Sequence, residues 1–551
     1  MTAASADGTL PIDTPVRVDH AERAPWDQTV DVLVVGCGAA GSAAAIVARE
    51  AGAEVLVVDR FDGGGATAKS GGVVYAGGGT AHQRKAGYGD TPAAMTAYLS
   101  QETGDAVKPE TLARFCNDSV GLIEWLESIG ADFRSDATPP KTSYPKDGVY
   151  LYYSGNEAVP AYAKHAQPAP RGHRTRGSWL SGKALYEFLR ARIDALRIPM
   201  QTQAAVRRLI VDADNSVVGA EVWRLVPGSA AARTHQKLIR RAEALHNFAP
   251  GYSDRLRSQA LALELEQAER VRVRTLRGVV LSAGGFIFNR EMVERHAPKY
   301  RQTMRLGTTG CDGSGIRLGL SAGGVAARME KVSAWRFINP PTFWPKGIVV
   351  DGKGERFCNE QVYGAKLGVE MCESHQGRAW LILDRKLRWE AIKEALFGGL
   401  WAFQSVPAFF LMLFAPRART AAALAEKLGM PAAALEQSIA RYSATGPTGE
   451  DALGKSENMR APLDSPPYFA LNISADSKSF PCPAITLGGL RVEETSGLVL
   501  NERGETIQGL YAAGRNAVGV ASNFYVSGLS IADCLWSGRR AGAHAAARAP
   551  A

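Results

Sequence analysis

Asp31-Val-Leu-Val-Val-Gly-Cys-Gly-Ala-Ala-Gly41 opens a stretch that runs through a small-residue segment, 42–51, to Glu54-Val-Leu-Val-Val-Asp59. The two apolar runs are short and uninterrupted, as strands buried on both faces are. Strand, G-x-G-x-x-G, helix, strand and acid form one βαβ dinucleotide-binding unit, whereas the glycines alone would be weak evidence. Gly36 permits the tight turn. Gly38 lets backbone N–H groups approach a pyrophosphate, and Gly41 lets the helix pack on the sheet. The helix N-terminus, with Ala39 and Ala40, faces the phosphates. Asp59 can accept hydrogen bonds from a ribose. The predicted fold class is therefore α/β, built on a Rossmann-like domain.

Downstream, Gly63-Gly-Gly-Ala-Thr-Ala-Lys-Ser-Gly-Gly72 and Gly77-Gly-Gly79 are too glycine-rich for a regular element, because ordering glycine costs the most backbone entropy. Such a run suits backbone packed on a large flat ligand. Residues 92–130 read as helical, with Leu112, Phe115, Leu122 and Leu126 on one face. Residues 135–178 read as irregular, 183–196 as helix, 206–222 as paired strands around Asp214-Asn215, and 271–281 as a strand leading to Ser282-Ala-Gly-Gly-Phe286. An arginine-rich helical hairpin is expected at 231–270, with Ser253 capping its second helix. A solvated decoration is its plainest use, with self-association or membrane docking as alternatives. The glycine pattern fades over 330–470 and returns with Thr486-Leu-Gly-Gly-Leu490, Gly509-Leu-Tyr-Ala-Ala-Gly-Arg515 and Tyr525-Val-Ser-Gly-Leu-Ser-Ile-Ala-Asp533. The expected organisation is a loose leader (1–28), a dinucleotide-binding domain from 29–328 and 471–551, and an α+β cap domain inserted at 329–470.

The chain has 551 residues, 46% hydrophobic and 22% charged, which excludes disorder of the whole and makes a single domain improbable. Its 58 glycines exceed the usual share and have no collagen period, so they mark specific loops. The net charge of +9 has no basic-aromatic motif beside it, so no nucleic-acid partner is expected. Seven scattered cysteines have no zinc-like spacing and read as reduced thiols of a cytoplasmic protein, with no metal site. The uncharged run 395–415 reaches the length of a bilayer span, but Gly398-Gly399, Gln404, Ser405 and Pro407 interrupt it. A greasy pocket wall, formed by Phe403, Phe409, Phe410 or Phe414, or an edge resting peripherally on a membrane is the better reading.

In order, GCGAAG, GGGATAKSGG, SAGGF, CDGSG, TLGGL and GLYAAGR resemble the fumarate reductase/succinate dehydrogenase flavoprotein superfamily over nearly the whole chain. That resemblance implies FAD, and implies that it is noncovalent, because the glycine-rich segment lacks the histidine that carries it in some relatives. It assigns to the cofactor Gly36, Gly38, Ala39, Ala40, Gly41, Asp59, Arg60, Gly65, Ala66, Thr67, Ser70, Gly71, Gly72, Val206, Ala283, Gly284, Asp312, Gly514, Arg515, Ser530 and Ile531. The dicarboxylate members hold substrate with arginines and a histidine; the matching positions here are Tyr525, Gly364 and the Ala484-Ile485 pair. A dicarboxylate needs a fork of arginine donors, so fumarate and succinate are disfavoured. Gly148-Val-Tyr-Leu-Tyr-Tyr-Ser-Gly155, Asn359-Glu-Gln-Val-Tyr363 and Tyr525-Val-Ser-Gly-Leu-Ser530 instead resemble the flavin-dependent 3-ketosteroid dehydrogenases, the Δ4 type more than the Δ1 type.

The resemblance implies a 3-ketosteroid substrate, an external electron acceptor, and a reaction that removes an α proton and a β hydride. Tyr525 and a backbone N–H would hold the ketone oxygen. Ser527 would take the C4 proton and Tyr363 would polarise or relay it; which of the two takes it first stays open. Tyr150, Tyr152 and Tyr153 read as loop packing. The competing readings are the Δ1 enzyme, an enoate or fumarate-type reductase with Arg171 and His173 as carboxylate anchor, and a noncatalytic FAD-dependent assembly subunit.

Overall fold

In the computed structural model, which describes residues 5–138, 141–446 and 449–550, the βαβ unit lies at the centre of a nine-stranded sheet. Strand β1 (Gln28–Val35), helix α1 (Ala39–Glu50) and strand β2 (Val55–Val58) are its parts. The strands are parallel, with Val32 opposite Val55. Val32, Leu33 and Val34 are fully buried. Each such side chain contributes roughly 1.5–3 kcal/mol relative to exposure. Both faces of the sheet are covered, so the strands need no polar alternation.

Strands β3 (Ala204–Val211) and β4 (Val217–Arg224) form the expected hairpin and pair antiparallel. Helices α2 (Ala230–Leu245) and α3 (Pro250–Gln267) follow, then strand β5 (Glu269–Leu281). The first half of β5 pairs with β4 and its second half with β1. Beyond 380 lie helices α4 (Arg385–Phe397) and α5 (Ala402–Leu413), strand β6 (Thr506–Ala512) and helix α6 (Leu529–Ala547). β6 joins the sheet beside β5 in parallel register, Val279 opposite Leu510. A side chain at Gly278 would meet the Gly509 carbonyl oxygen at 2.7 Å, so the close approach of β6 requires glycine there.

Four expectations change. Residues 5–27 are packed rather than loose; residues 1–4 of that leader lie outside the described ones. Leu10 is buried, its N–H donates to Asp312 (2.9 Å), and Val16-Arg17 pairs with β3. The composition hid this because many of the anchors are backbone groups, beside Leu10, Ile12 and the Asp13–Arg207 ion pair. The hairpin α2–α3 exists, but it is no decoration: its α2 face covers a cavity described below. Ser253 does not cap α3. It is buried and donates to the Ala242 carbonyl across the hairpin (2.9 Å). Within 135–178, short strands Leu151–Tyr152 and Gly172–Arg174 pair with each other, and the latter pairs with Val73–Tyr75.

The inserted segment carries a four-stranded antiparallel sheet that includes Ile348–Val350, Trp380–Leu383 and Tyr468–Asn472. Arg356 and Glu360 sit there in a buried ion cluster: Lys455 meets Glu360 at 2.7 Å and Arg356 meets Glu360 at 2.8 Å. These charges hold the sheet's edge rather than a substrate. The 395–415 run folds as the end of α4, a turn, and α5. Among the described residues no helix is long and apolar enough to cross a membrane.

Candidate active site

Two cavities of about 380 and 450 Å³ share the walls Ala66, Thr67, Lys69, Arg515 and Cys534. The first sits on the βαβ turn. Of the residues expected to hold the cofactor, Gly36, Gly38, Ala39, Ala40, Asp59 and Arg60 line it from the first motif. Gly65, Ala66, Thr67, Val206, Ala283, Gly284 and Arg515 line it from later ones. Ser70, Gly71, Ser530 and Ile531 line the second cavity instead. Gly41, Gly72, Asp312 and Gly514 line neither. A methyl on Gly41 would collide with the Gly36 carbonyl oxygen, and one on Gly72 with the Ser181 backbone. Gly514 has φ +59° and packs against Ala40 and Cys534. These glycines shape the wall from behind.

Gly36 has φ +96°, a conformation that favours glycine. The Asp59 carboxylate accepts from Cys37 N (2.8 Å), Phe61 N (2.9 Å) and Gly63 N (3.3 Å). Burial raises its pKa against the pull of those donors. With three of about four lone-pair sites taken, it keeps one for a ribose hydroxyl. Arg60 is committed elsewhere: its Nε spans Glu264 of α3 at 3.0 Å and its Nη1 meets Asp312 at 2.9 Å. Asp312 thus anchors Arg60 and the N-terminal segment rather than facing the cavity. His235 of α2 completes the cluster at 2.8 Å from Glu264. Ile239, Arg240, Glu243 and Ala244 of α2 line the cavity, a contribution that the sequence motifs do not signal. Arg515 Nη1 is buried without a partner at the wall common to both cavities. An orphaned buried donor costs about 1–3 kcal/mol, which fits a site built for a polar ligand atom. A helix N-terminus, a free lone pair on Asp59 and this orphaned donor fit FAD.

The second cavity is mostly apolar, and Tyr363, Tyr525 and Ser527 all line it. Tyr363 precedes the helix Gly364–Ser374, and its backbone N–H donates to Asn156 Oδ1 (2.5 Å). Its ring centroid lies 6.4 Å from that of Tyr525. Tyr525 stacks on Trp335 at 4.9 Å. The Gly528 N–H reaches the Tyr525 hydroxyl at 3.4 Å. Gly528 is the N-cap of α6, so phenol and backbone donor meet where the helix dipole is positive. Burial pushes the Tyr525 phenol up to about 12 and the Tyr363 phenol well above its ordinary value. Both are therefore neutral donors near neutral pH. Ser527 Oγ lies 3.2 Å from the Tyr152 hydroxyl, and Ser527 offsets part of the effect of burial on the Tyr363 phenol.

Ile485, at the position where dicarboxylate relatives carry histidine, lines the second cavity too, whereas no motif pointed to Leu306, Phe337 and Trp344. These are ordinary apolar residues that only the tertiary fold gathers. Of the four phenylalanines expected as wall, only Phe403 lines the cavity. Phe409 packs on the core, whereas Phe410 and Phe414 are exposed. Leu180 and Phe403 are both exposed and part of the lining, so they stand at the mouth. Arg171 and His173 are fully buried and line neither cavity. Arg171 is held by Asp90 at 2.9 and 2.8 Å, and His173 by Thr80 at 2.9 Å. Neither is available as a carboxylate anchor.

Residues 31–531 match the model of the FAD binding domain family. A protein of Comamonas testosteroni, "3-oxo-5-alpha-steroid 4-dehydrogenase", is 45% identical over 92% of this chain and 96% of its own. A "3-oxosteroid 1-dehydrogenase" of Mycobacterium tuberculosis is 27% identical over 95% of this chain and 99% of its own. The crystal structure of 3-ketosteroid-delta4-(5alpha)-dehydrogenase from Rhodococcus jostii RHA1, in complex with 4-androstene-3,17-dione, superposes with a TM-score of 0.81 at 29% identity. It covers 97% of this chain and all of that one.

Proposed function

The chain belongs to the FAD binding domain family, and on that premise we propose that it is a flavin-dependent 3-ketosteroid Δ4-dehydrogenase that acts on 5α substrates. One observation carries the proposal. Three hydroxyls, Tyr363, Tyr525 and Ser527, converge in an apolar cavity that shares a wall with the dinucleotide cavity. A rigid apolar ketone needs apolar walls and neutral donors, and both are there.

Desaturation beside a ketone requires that the α proton and the β hydride leave. When bound, FAD accepts the hydride. The protein's part is the proton. The α C–H becomes acidic only if the ketone oxygen is stabilised as negative charge builds on it. The Tyr525 hydroxyl and the Gly528 N–H, 3.4 Å apart, would be the two donors to that oxygen. Ser527 then takes the C4 proton while its own proton passes to Tyr363. An alcohol is a poor base alone, so this coupling is what makes serine competent.

Tyr363 comes from the inserted segment, Tyr525 and Ser527 from the C-terminal part. This supports a catalytic cap at 329–470 on an FAD-binding domain of 29–328 and 471–551. The FAD is noncovalent, and its electrons leave to an external acceptor. Seven unpaired cysteines support a cytoplasmic setting. Leu396, Phe397, Val406, Phe410, Leu413 and Phe414, exposed along α4 and α5 beside the cavity mouth, support peripheral membrane contact. Anaerobic mixing of the holoenzyme with a saturated 5α-3-ketosteroid tests the core of the proposal. Bleaching of the flavin band together with formation of the conjugated 4-ene-3-one is expected. Unchanged flavin would overturn it.

A further inference from the structure

The Ser527 hydroxyl needs more than one neighbour to act as a base, and Tyr152 stands directly behind it. Tyr152 is fully buried, lies on the short strand Leu151–Tyr152, and does not line the cavity. Its ring packs with Val73, Tyr144 and Val149. Its hydroxyl lies 3.2 Å from Ser527 Oγ. The backbone beside it is fastened to the same residue: Ser527 N donates to Ser154 O (3.2 Å), and Ser154 Oγ donates to Ser527 O (3.0 Å). Two residues on, Asn156 takes the Tyr363 N–H on Oδ1 and gives its Nδ2 hydrogen to the buried Glu102 (2.7 Å). One segment, 152–156, thus sets both proton-handling residues, with a buried carboxylate behind it.

The Tyr152 hydroxyl has Ser527 as its one hydrogen-bond partner among the described residues, and either hydroxyl could donate across the contact. The role assigned below is the arrangement in which Tyr152 donates to Ser527 Oγ, which satisfies the buried phenol hydrogen. That occupies one lone pair of the serine. The serine's own hydrogen is left for Tyr363 and its second lone pair for the substrate.

We propose that Tyr152 is a positioning residue for the base Ser527, a fixed donor that aims its free lone pair into the cavity and stabilises the negative charge it gains. The role rests on the dehydrogenase reading above. In the step, the substrate C4–H bond breaks, the proton bonds to Ser527 Oγ, and the serine's former proton bonds to the Tyr363 oxygen, whose own proton leaves towards solvent. The C–H electron pair becomes the enolate. No bond of Tyr152 breaks.

The test is the rate of anaerobic flavin reduction by a 5α-3-ketosteroid in Tyr152→Phe, alone and combined with Ser527→Ala, over a pH range. The ring is retained, and FAD content and Tm report folding. Tyr152→Phe is expected to slow reduction about 100-fold, the scale of one assisting group in proton transfer. Substrate affinity should be unchanged and the rate should climb towards alkaline pH. In the Ser527→Ala background the same change should have no further effect. An equal loss in both backgrounds, or no loss in the wild-type one, overturns the proposal. If Tyr152→Phe loses FAD, 3-fluorotyrosine at 152 keeps the volume and the hydrogen bond. A more acidic phenol should then move the pH profile towards acid, and an unmoved profile overturns the proposal equally. Tyr153→Phe serves as the control with unchanged rate. Wild-type flavin that no steroid reduces would instead refute the dehydrogenase reading, which separates the two failures.

Discussion

In the proposed reaction Tyr525 bears the heaviest demand of any single residue, since its phenol, 3.4 Å from the Gly528 N–H, is the donor assigned to the ketone oxygen. Removing one such donor typically costs 100- to 1000-fold in rate. Tyr525→Phe should therefore slow steroid-dependent flavin bleaching by about that factor, with FAD still bound at full stoichiometry. Normal turnover in this variant would exclude the role. Alkaline pH gives a second check. Burial lifts the phenol from its ordinary value to about 12. Its folded-state pKa lies above the unfolded one, so what this group adds to stability is complete below about pH 10. It is lost as pH rises towards 12. The donor itself persists over the same range. Flavin reduction in the wild type should show no fall between pH 9 and 10 from loss of this proton. A stopped-flow profile with a break near 10 that vanishes in Tyr525→Phe would contradict it.

The site's residues differ in how well sequence revealed them. Gly36, Gly38 and Asp59 were legible because one short segment contains the whole physical device. Tyr363, Tyr525 and Ser527 were legible only through resemblance, since nothing in the spacing of two tyrosines and a serine shows that the chain between 363 and 525 brings them together. Arg60 lines the cavity but Asp312 does not, and the two hold each other. Their partner Glu264 belongs to an insert whose docking no local pattern encodes.

Among elements, the hairpin α2–α3 changes most in meaning. Its acid Glu264 serves Arg60 and His235 at once, in a nearly dry setting. Removing one member of a buried ion cluster costs about 3–5 kcal/mol, because the charge left behind is unpaired. Glu264→Ala should lower Tm by several degrees. It should also speed loss of FAD on dilution, followed by recovery of flavin fluorescence. A variant as stable and as flavin-tight as the parent would show that the hairpin is merely attached. The α4–α5 crest makes a different prediction. Phe397 and Phe414 are 84% and 76% exposed, more than an ordinary helix end needs. Phe397→Ser with Phe414→Ser should abolish flotation with anionic liposomes while leaving flavin reduction by dissolved steroid intact. The run's hydrophobicity was visible in sequence. Which residues of α5 line the cavity, Phe403 and not Phe410, depends on what the tertiary fold packs beside the helix.

At the scale of the whole molecule, the α/β class and the return of the dinucleotide domain after the insert were legible, because each returning strand carries its own glycine signature. The N-terminal segment was not. Its attachment rests in large part on Leu10, two main-chain hydrogen bonds near Asp13 and Val18, and a two-residue strand. Composition records side chains, and these bonds are made by backbone. The same logic hid the floor of the active site, where Ser154 and Ser527 hold each other chiefly through backbone groups.

Helix α6 lies on α1 at close range: a methyl at Gly538 would strike the Ala40 carbonyl and one at Gly542 the Ala44 carbonyl. The element that forms the phosphate-binding helix is thus completed by a segment some 500 residues later in synthesis. On the ribosome the βαβ motif therefore emerges long before its packing partner. The inserted sheet between them has all its strands and can fold earlier. Flavin capture should wait for residues 529–547, and chains stalled before residue 529 should bind no flavin, as flavin fluorescence of the stalled complexes would show.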